Sequence, residues 1–317
     1  MSKKSILSAV LCFVPLLFSC AGEVKDLLRI KKVKDPIERS RLFDRMNFFA
    51  GKTSKAEFEK FDKDPKAKSS NTLLRFYDQT LDQVKKDIAN TQVAPGTAAV
   101  WYLYNMGFII KTPTVCFGVD IHHRRAIELA KVLDFLAVTH NHVDHYDLPL
   151  MYELTRMKKP VVSNFFPNPY YTKATQSAHN ISGVTIHTGE ADHNKLLKKF
   201  DMPMEFICPT GDKNFVFFTS GDCRSELFLH RKSDKIDLYA VHPICGMKPH
   251  LAAKKLAPEV TFIVHLYELS HDVNVWRWTI DNGRAVQEVF QNENLNSYIP
   301  AWGEKFIWDG KKITPAF

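Results

Sequence analysis

The chain has 317 residues, 45% hydrophobic, 12% aromatic and 25% charged, a composition that excludes collagen-like, disordered and polytopic membrane proteins. Single cores stop growing at roughly 250–300 residues, so this length predicts one main domain with an appendage. The net charge of +8, from 43 Lys+Arg against 35 Asp+Glu, leans toward anionic substrates or surfaces, or serves only solubility, and does not establish nucleic-acid binding.

At the N-terminus, Lys3 and Lys4 precede an apolar run over 6–18. This run is shorter than the roughly 20 residues of a membrane-spanning helix, and residues 1–19 read as an export signal. Leu17-Phe18-Ser19-Cys20 resembles the lipobox of bacterial lipoproteins. The resemblance implies a lipid on Cys20 and an exported chain anchored to a membrane of the cell envelope; an ordinary cleaved signal with an incidental cysteine is the alternative. Of the other cysteines, Cys116, Cys208, Cys223 and Cys245 have no CxxC spacing, so neither a disulfide framework nor a zinc–thiolate site is expected.

Residues 20–95 read as a helical N-terminal region, with helices over 23–33, 36–49, 54–61 and about 70–89. Apolar residues recur at helical spacing (Leu73, Leu74, Phe76, Tyr77, Leu81, Val84), Pro36 suits a first turn and Pro95-Gly96 marks a break. The region could form a lid over a cleft or a stalk, and its lysines could face a membrane or only water. From residue 96 to 317 short β-branched and aromatic runs take over: 98–104, 108–111, 115–119, 135–138, 161–162, 184–187, 205–208, 215–220, 238–241 and 261–264. Helices are expected over 124–131, 147–156, 248–256 and 283–292. Strands and helices therefore mix, predicting an α/β class with two sheets covered by helices.

The chemistry concentrates where Phe135-Leu136-Ala137-Val138 runs into Thr139-His140-Asn141-His142-Val143-Asp144-His145. A strand delivers these residues into a loop. The HxHxDH spacing puts His140 and His142 on one side and lets Asp144 and His145 point elsewhere, enough to begin two adjacent metal sites. Imidazole and carboxylate ligands suit zinc foremost, and also manganese or iron.

This motif after an apolar strand resembles that of the metallo-β-lactamase superfamily, over about residue 97 to the C-terminus. The resemblance implies an αββα sandwich holding one or two metal ions. By the same resemblance Asp120, ending Phe117-Gly118-Val119-Asp120, supports the ligand loop; a simple turn Asp is the alternative. His193 in Ala191-Asp192-His193-Asn194 is the third His of the first site, preferred to His187. Asp222, after the apolar strand ending Ser220-Gly221, bridges two metals. His265, after Thr261-Phe262-Ile263-Val264, completes the second site, with His271 as the alternative. The implied set is His140, His142 and His193 on one ion, Asp144, His145 and His265 on the other, and Asp222 between them.

Two divalent ions lower the pKa of a shared water and polarise a carbonyl or phosphoryl oxygen, with Asp144 able to orient the nucleophile or take its proton. Glu268 and His271 could orient His265 or contact substrate, and His242 is a surface residue or a cleft wall. The superfamily's binuclear β-lactamases commonly carry Cys where this chain has Asp222, and its diiron oxygen reductases carry Glu where it has His142. The expected activity is therefore hydrolysis of a phosphodiester or of a lactone or ester, on a small-molecule or lipid-like anionic substrate, with Arg277 of Trp276-Arg277-Trp278 as a possible anion receiver. Asn105-Met106-Gly107 reads as a turn without chemistry. A non-catalytic metal-containing binding or scaffold lipoprotein is the other class; no nucleic-acid partner is expected, since no stacking or groove-entering motif is present.

Overall fold

The computed structural model describes residues 20–170, 177–273 and 275–316, so the expected export signal, residues 1–19, lies outside the described residues. Four helices open the described residues: α1 (Cys20–Arg29), α2 (Pro36–Lys52), α3 (Lys55–Asp62) and α4 (Thr72–Asn90). Their starts follow from capping chemistry. Asp35 accepts from Glu38 N at 2.7 Å with Pro36 in the first turn, Ser54 accepts from Glu57 N at 3.1 Å, and Asn71 accepts from Leu73 N at 2.9 Å.

Two seven-stranded sheets follow. The first has the order β14 (Ile313–Pro315), β13 (Glu304–Trp308), β1 (Ala98–Tyr102), β2 (Phe108–Lys111), β3 (Cys116–Val119), β4 (Phe135–Ala137), β5 (Val161–Val162). The second runs β12 (Ser297–Tyr298), β11 (Pro258–Ile263), β10 (Ile236–Val241), β9 (Asn214–Thr219), β8 (Met204–Pro209), β7 (Val184–Thr188), β6 (Ser177–Ile181). They meet through aromatic side chains: Phe108 lies 5.1 Å from Phe217, Phe117 5.4 Å from Phe206, and Phe262 4.5 Å from Phe306, centroid to centroid. Helix α5 (Leu148–Arg156) packs on β4 and β5 of the first sheet, while α6 (Pro249–Leu256) and α7 (Ile280–Asn292) pack on β10 and β11 of the second. The class is mixed α/β, a sheet-on-sheet sandwich with helices outside.

The N-terminal helices share the sandwich's apolar core. Tyr77 of α4 stacks on His123 at 4.2 Å and meets Tyr104 edge-on at 4.9 Å, while Phe76 stacks on Trp302 at 5.5 Å. Arg39 of α2 pairs with buried Glu304 at 2.7 Å. An ion pair so far from water persists because its remaining atoms are satisfied: Glu304 also accepts from Tyr298 OH at 2.7 Å and Ala301 N at 2.8 Å. The region is thus neither a free stalk nor a lid, since every described residue lining the metal-cluster cleft lies beyond residue 140.

The chain direction positions the site. β3 and β4 run parallel, as do β9, β10, β11 and β12, so the C-terminal ends of these strands open at one edge of the sandwich. Such an edge is where open α/β sheets present ligand-binding loops. Asp120 follows β3, His140 follows β4, Asp222 follows β9, His242 follows β10 and His265 follows β11. The expected helix over 124–131 is only a single tight turn, Ala126–Leu129.

Candidate metal centre

His140, His142, His193 and Asp222 each present a ligand atom within 4.8 Å of the others, and Asp144, His145 and His265 form a second such group. Asp222 also groups with His242 and His265, so its carboxylate stands between the two clusters. Its Oδ2 lies 3.8 Å from His140 Nε2, 3.4 Å from His193 Nε2 and 3.8 Å from His265 Nε2, and its Oδ1 lies 3.5 Å from His145 Nε2. These separations are long for hydrogen bonds. They match two ligand atoms sharing an ion, which sit roughly 3.4 Å apart when each is about 2.1 Å from a tetrahedral centre.

The unsatisfied atoms agree. His140 Nε2, His145 Nε2 and Asp222 Oδ1 are buried without a hydrogen-bond partner, an arrangement that ordinarily costs about 1–3 kcal/mol per group unless something else completes it. The donor set of imidazole nitrogens and carboxylate oxygens fits one or two divalent ions.

Behind the clusters, outer groups fix which nitrogen faces inward. Asp120 accepts from Thr139 N at 2.7 Å and Thr139 Oγ1 at 2.8 Å, and its Oδ2 lies 3.1 Å from His145 Nδ1. That contact holds a proton on Nδ1 of His145 and turns Nε2 toward Asp222 and Asp144. Asp120 thus supports the ligand loop, as the resemblance implied. Thr139 Oγ1, already donating to Asp120, lies 3.0 Å from His140 Nδ1 and can accept its proton, freeing Nε2 in the same way.

Protonation follows the surroundings. Burial and the His145 ring push His140 down to about 3, and burial and His140 push His142 down to about 3, so both offer lone pairs at neutral pH. Burial opposes charge on Asp222, yet His145 and His265 hold it well below the usual carboxylate range. Burial likewise opposes charge on His145, but Asp222, Asp144 and Asp120 raise it well above the ordinary histidine value.

Two residues had not been recognised as part of the site. Asn105, in the turn to which no chemistry was assigned, has φ 55°. Its Nδ2 donates to Asp144 O at 2.9 Å and Asp144 Oδ2 at 3.0 Å, and its carbonyl accepts from His265 N at 2.9 Å. It therefore joins the two ends of the second cluster. Asp201 is fully buried with Oδ1 3.2 Å from His140 Nδ1, and burial together with Asp222 raises its pKa well above the usual range. Asn105 could have been suspected as a residue suited to left-handed backbone; Asp201 carries no local signal, because only the fold brings it to His140.

His242 is a cleft residue, not a surface one: it is buried, and its ring lies 4.1 Å from that of His265. Its Nδ1 accepts from Ile244 N at 2.9 Å, so in the neutral ring Nε2 carries the proton. His271 forms a short hydrogen bond to buried Glu268, and this bond raises its pKa. Glu268 is held in turn by Ser270 N at 2.7 Å and Tyr104 OH at 3.2 Å. His187 lies on β7 outside these clusters.

Arg277 does not receive an anion. It is buried, and its guanidinium donates to the carbonyls of Ala50 at 2.9 Å, Thr53 at 2.5 Å, Leu269 at 2.8 Å and His271 at 2.6 Å. Four carbonyls occupy both terminal nitrogens of the guanidinium, so the residue ties the end of α2 to the wall of the cleft. That cleft, of about 580 Å³, is walled by Leu197, Ile244, Cys245, Trp276 and Trp278 beyond the His and Asp clusters. Among the described residues lining it there is no lysine or arginine.

Fold and site together define a two-sheet α/β sandwich with adjoining His/Asp clusters of metal-holding geometry at one edge. No family model matches the chain, and no curated protein matches it. Among solved structures, it is similar to Igni18, a metallo hydrolase from Ignicoccus hospitalis, at 15% identity, covering 67% of this chain and 98% of that one with a TM-score of 0.47. The metallo-β-lactamase fold protein YhfI from Bacillus subtilis aligns at 14% identity over 67% of this chain and 98% of that one, with a TM-score of 0.47. CmlA, a diiron β-hydroxylase from Streptomyces venezuelae, aligns at 11% identity over 69% of this chain, with a TM-score of 0.49; the alignment spans about half of CmlA, 54%.

Proposed function

We propose that the chain is a binuclear metal-dependent hydrolase acting on an uncharged ester or lactone with an apolar portion. The observation that carries the choice of substrate is the wall of the cleft. Trp276, Trp278, Leu197 and Ile244 offer apolar contact, and the described lining has no lysine or arginine to pair with the charge of a phosphodiester. This replaces the anionic substrate expected from the charge of the whole chain, because the Arg nearest that role is committed to backbone carbonyls.

His140, His142 and His193 would hold one ion, Asp144, His145 and His265 the other, with Asp222 shared. Bound there, zinc or a comparable divalent ion supplies a water of lowered pKa and polarises the substrate carbonyl. The protein's own groups do the rest. Burial opposes charge on Asp144, but the charge of His145 and the hydrogen bond with His265 outweigh it and keep the carboxylate ionised, able to accept a proton from the nucleophile. Neutral His242 presents an N–H where negative charge develops on the substrate oxygen. His271, kept protonated by Glu268, donates to the leaving oxygen, and the indoles exclude water and seat the apolar group. We also infer export and a lipid on Cys20; the Lys3-Lys4 start, the apolar run and the Ser19-Cys20 junction support this.

The test compares aryl esters and alkyl lactones of increasing chain length with a bis-aryl phosphodiester. On the ester series kcat/KM should rise with chain length. Trp278→Ala should lower it about tenfold for the longest substrate, mainly through KM, the scale of one buried aromatic contact. Faster phosphodiester cleavage, insensitive to Trp278, would overturn the choice of substrate while leaving the metal reading in place.

A further inference from the structure

A second concavity, about 750 Å³, shares no residue with the metal cleft and has the opposite character. It lies between α1, α4 and β13, and is lined by Lys25, Arg29, Lys31, Lys32, Lys86 and Lys305, with Asp87 as the one acid among the described lining residues. Like charges gathered in a hollow repel one another and focus a positive potential into it.

Two of the six cations are already engaged. Arg29 pairs with Glu38 at 2.6 Å and Asp26 at 3.6 Å, and Lys305 donates to Thr91 Oγ1 at 2.7 Å. Lys25, Lys31, Lys32 and Lys86 have no carboxylate within 4 Å among the described residues. Lys31 is half-buried and gives one hydrogen bond, to Gly303 O at 3.4 Å. Burial pushes its ammonium below the ordinary lysine value despite Asp87, a cost that an added anion would offset while accepting from its other two N–H groups.

We propose that this hollow is a binding site for a compact ligand carrying several phosphate groups. The cations stand on α1, the tight turn Ile30–Lys32 that follows it, α4 and β13, so their convergence is a property of the fold and not of one basic helix face. Ammonium groups bind phosphate as point charges without demanding a fixed plane. The same chemistry is offered by a soluble phosphorylated molecule and by the headgroup of an acidic lipid, and the two sources can be separated.

Calorimetry with inositol trisphosphate should show saturable binding to the purified protein. The Lys25→Glu/Lys86→Glu variant, altered at two exposed positions that threaten no packing, should bind at least tenfold more weakly. Lys31→Gln should weaken binding independently, and Lys63→Glu/Lys66→Glu, the same change of charge elsewhere on the surface, should bind as the wild type does. Flotation with phosphatidylcholine vesicles, with and without phosphatidylglycerol, identifies the source. Trisphosphate-competed binding to the acidic vesicles, lost in Lys25→Glu/Lys86→Glu, assigns the headgroup; trisphosphate binding without vesicle binding assigns a soluble ligand. Absence of saturable trisphosphate binding, or equal loss in both double variants, overturns the site.

Discussion

Replacing Asp222 by alanine is expected to reduce ester hydrolysis by about a thousandfold, the scale on which removal of one preorganised electrostatic element acts. The reason lies in its dual membership. Asp222 belongs to the His140–His142–His193 group and to the group with His242 and His265, and its two oxygens face imidazoles of both clusters at 3.4–3.8 Å. No other described residue has this position between them. Without the carboxylate, both clusters lose the negative charge they share, and the binuclear centre proposed above would lose its common ligand. Hydrolysis measured at matched folded fraction, judged by urea unfolding, checks this. A fall of less than tenfold would remove Asp222 from the centre of the chemistry.

The second large effect is on stability. Gly221 has φ +53°, and a Cβ built on it would stand 2.3 Å from Asp201 Oδ1 and 3.0 Å from its Cγ. Left-handed backbone costs a residue with a side chain about 1 kcal/mol or more, and forced repacking of a buried neighbour adds about 1–3 kcal/mol. Asp201 is buried behind His140, so it cannot swing out into solvent without breaking that contact. Gly221→Ala is thus expected to destabilise the fold by about 3 kcal/mol, read as a shift of the urea midpoint at unchanged slope. Because Asp201 would be driven against His140, metal affinity should fall with it. An unchanged midpoint would show that the turn relaxes in a way the present packing does not suggest.

These two neighbours illustrate what can be read from the chain. Asp222 was legible because an apolar strand ending in Gly-Asp has a plain local pattern, and the same is true of HxHxDH after β4 and of His265 after β11. The four N-terminal helices were legible from capping residues and helical spacing, to within a few residues at each end. Asp201 and Asn105 were not, because their roles come from contacts made across the fold: Asp201 with His140, and Asn105 with Asp144 and His265; His242 stood open between surface and cleft wall, and its packing on the ring of His265 decides for the cleft.

The missed strands have their own causes. β6 (Ser177–Ile181) is a polar edge strand paired only with β7, so its side chains show little apolar alternation. β13 does alternate, with buried Glu304, Phe306 and Trp308, but the first of these is a carboxylate. The charge that balances it comes from Arg39, more than two hundred residues earlier in the chain. Arg277 was misread for the same reason, since its four carbonyl partners include Ala50 and Thr53 of the N-terminal region. Where an arginine's partners come from distant segments, sequence proximity to tryptophans says little about what it binds.

The most direct test of the binuclear centre is elemental metal content per folded chain, after removal of metal with a chelator and reconstitution with zinc. The expected result is about two ions in the wild type, at most about one in Asp222→Ala, and about one when His140 and His193 are replaced together, the second cluster being left intact. A wild-type chain that remains folded and takes up no metal under these conditions would contradict the account, since the orphaned nitrogens of His140 and His145 would then have to be explained without an ion.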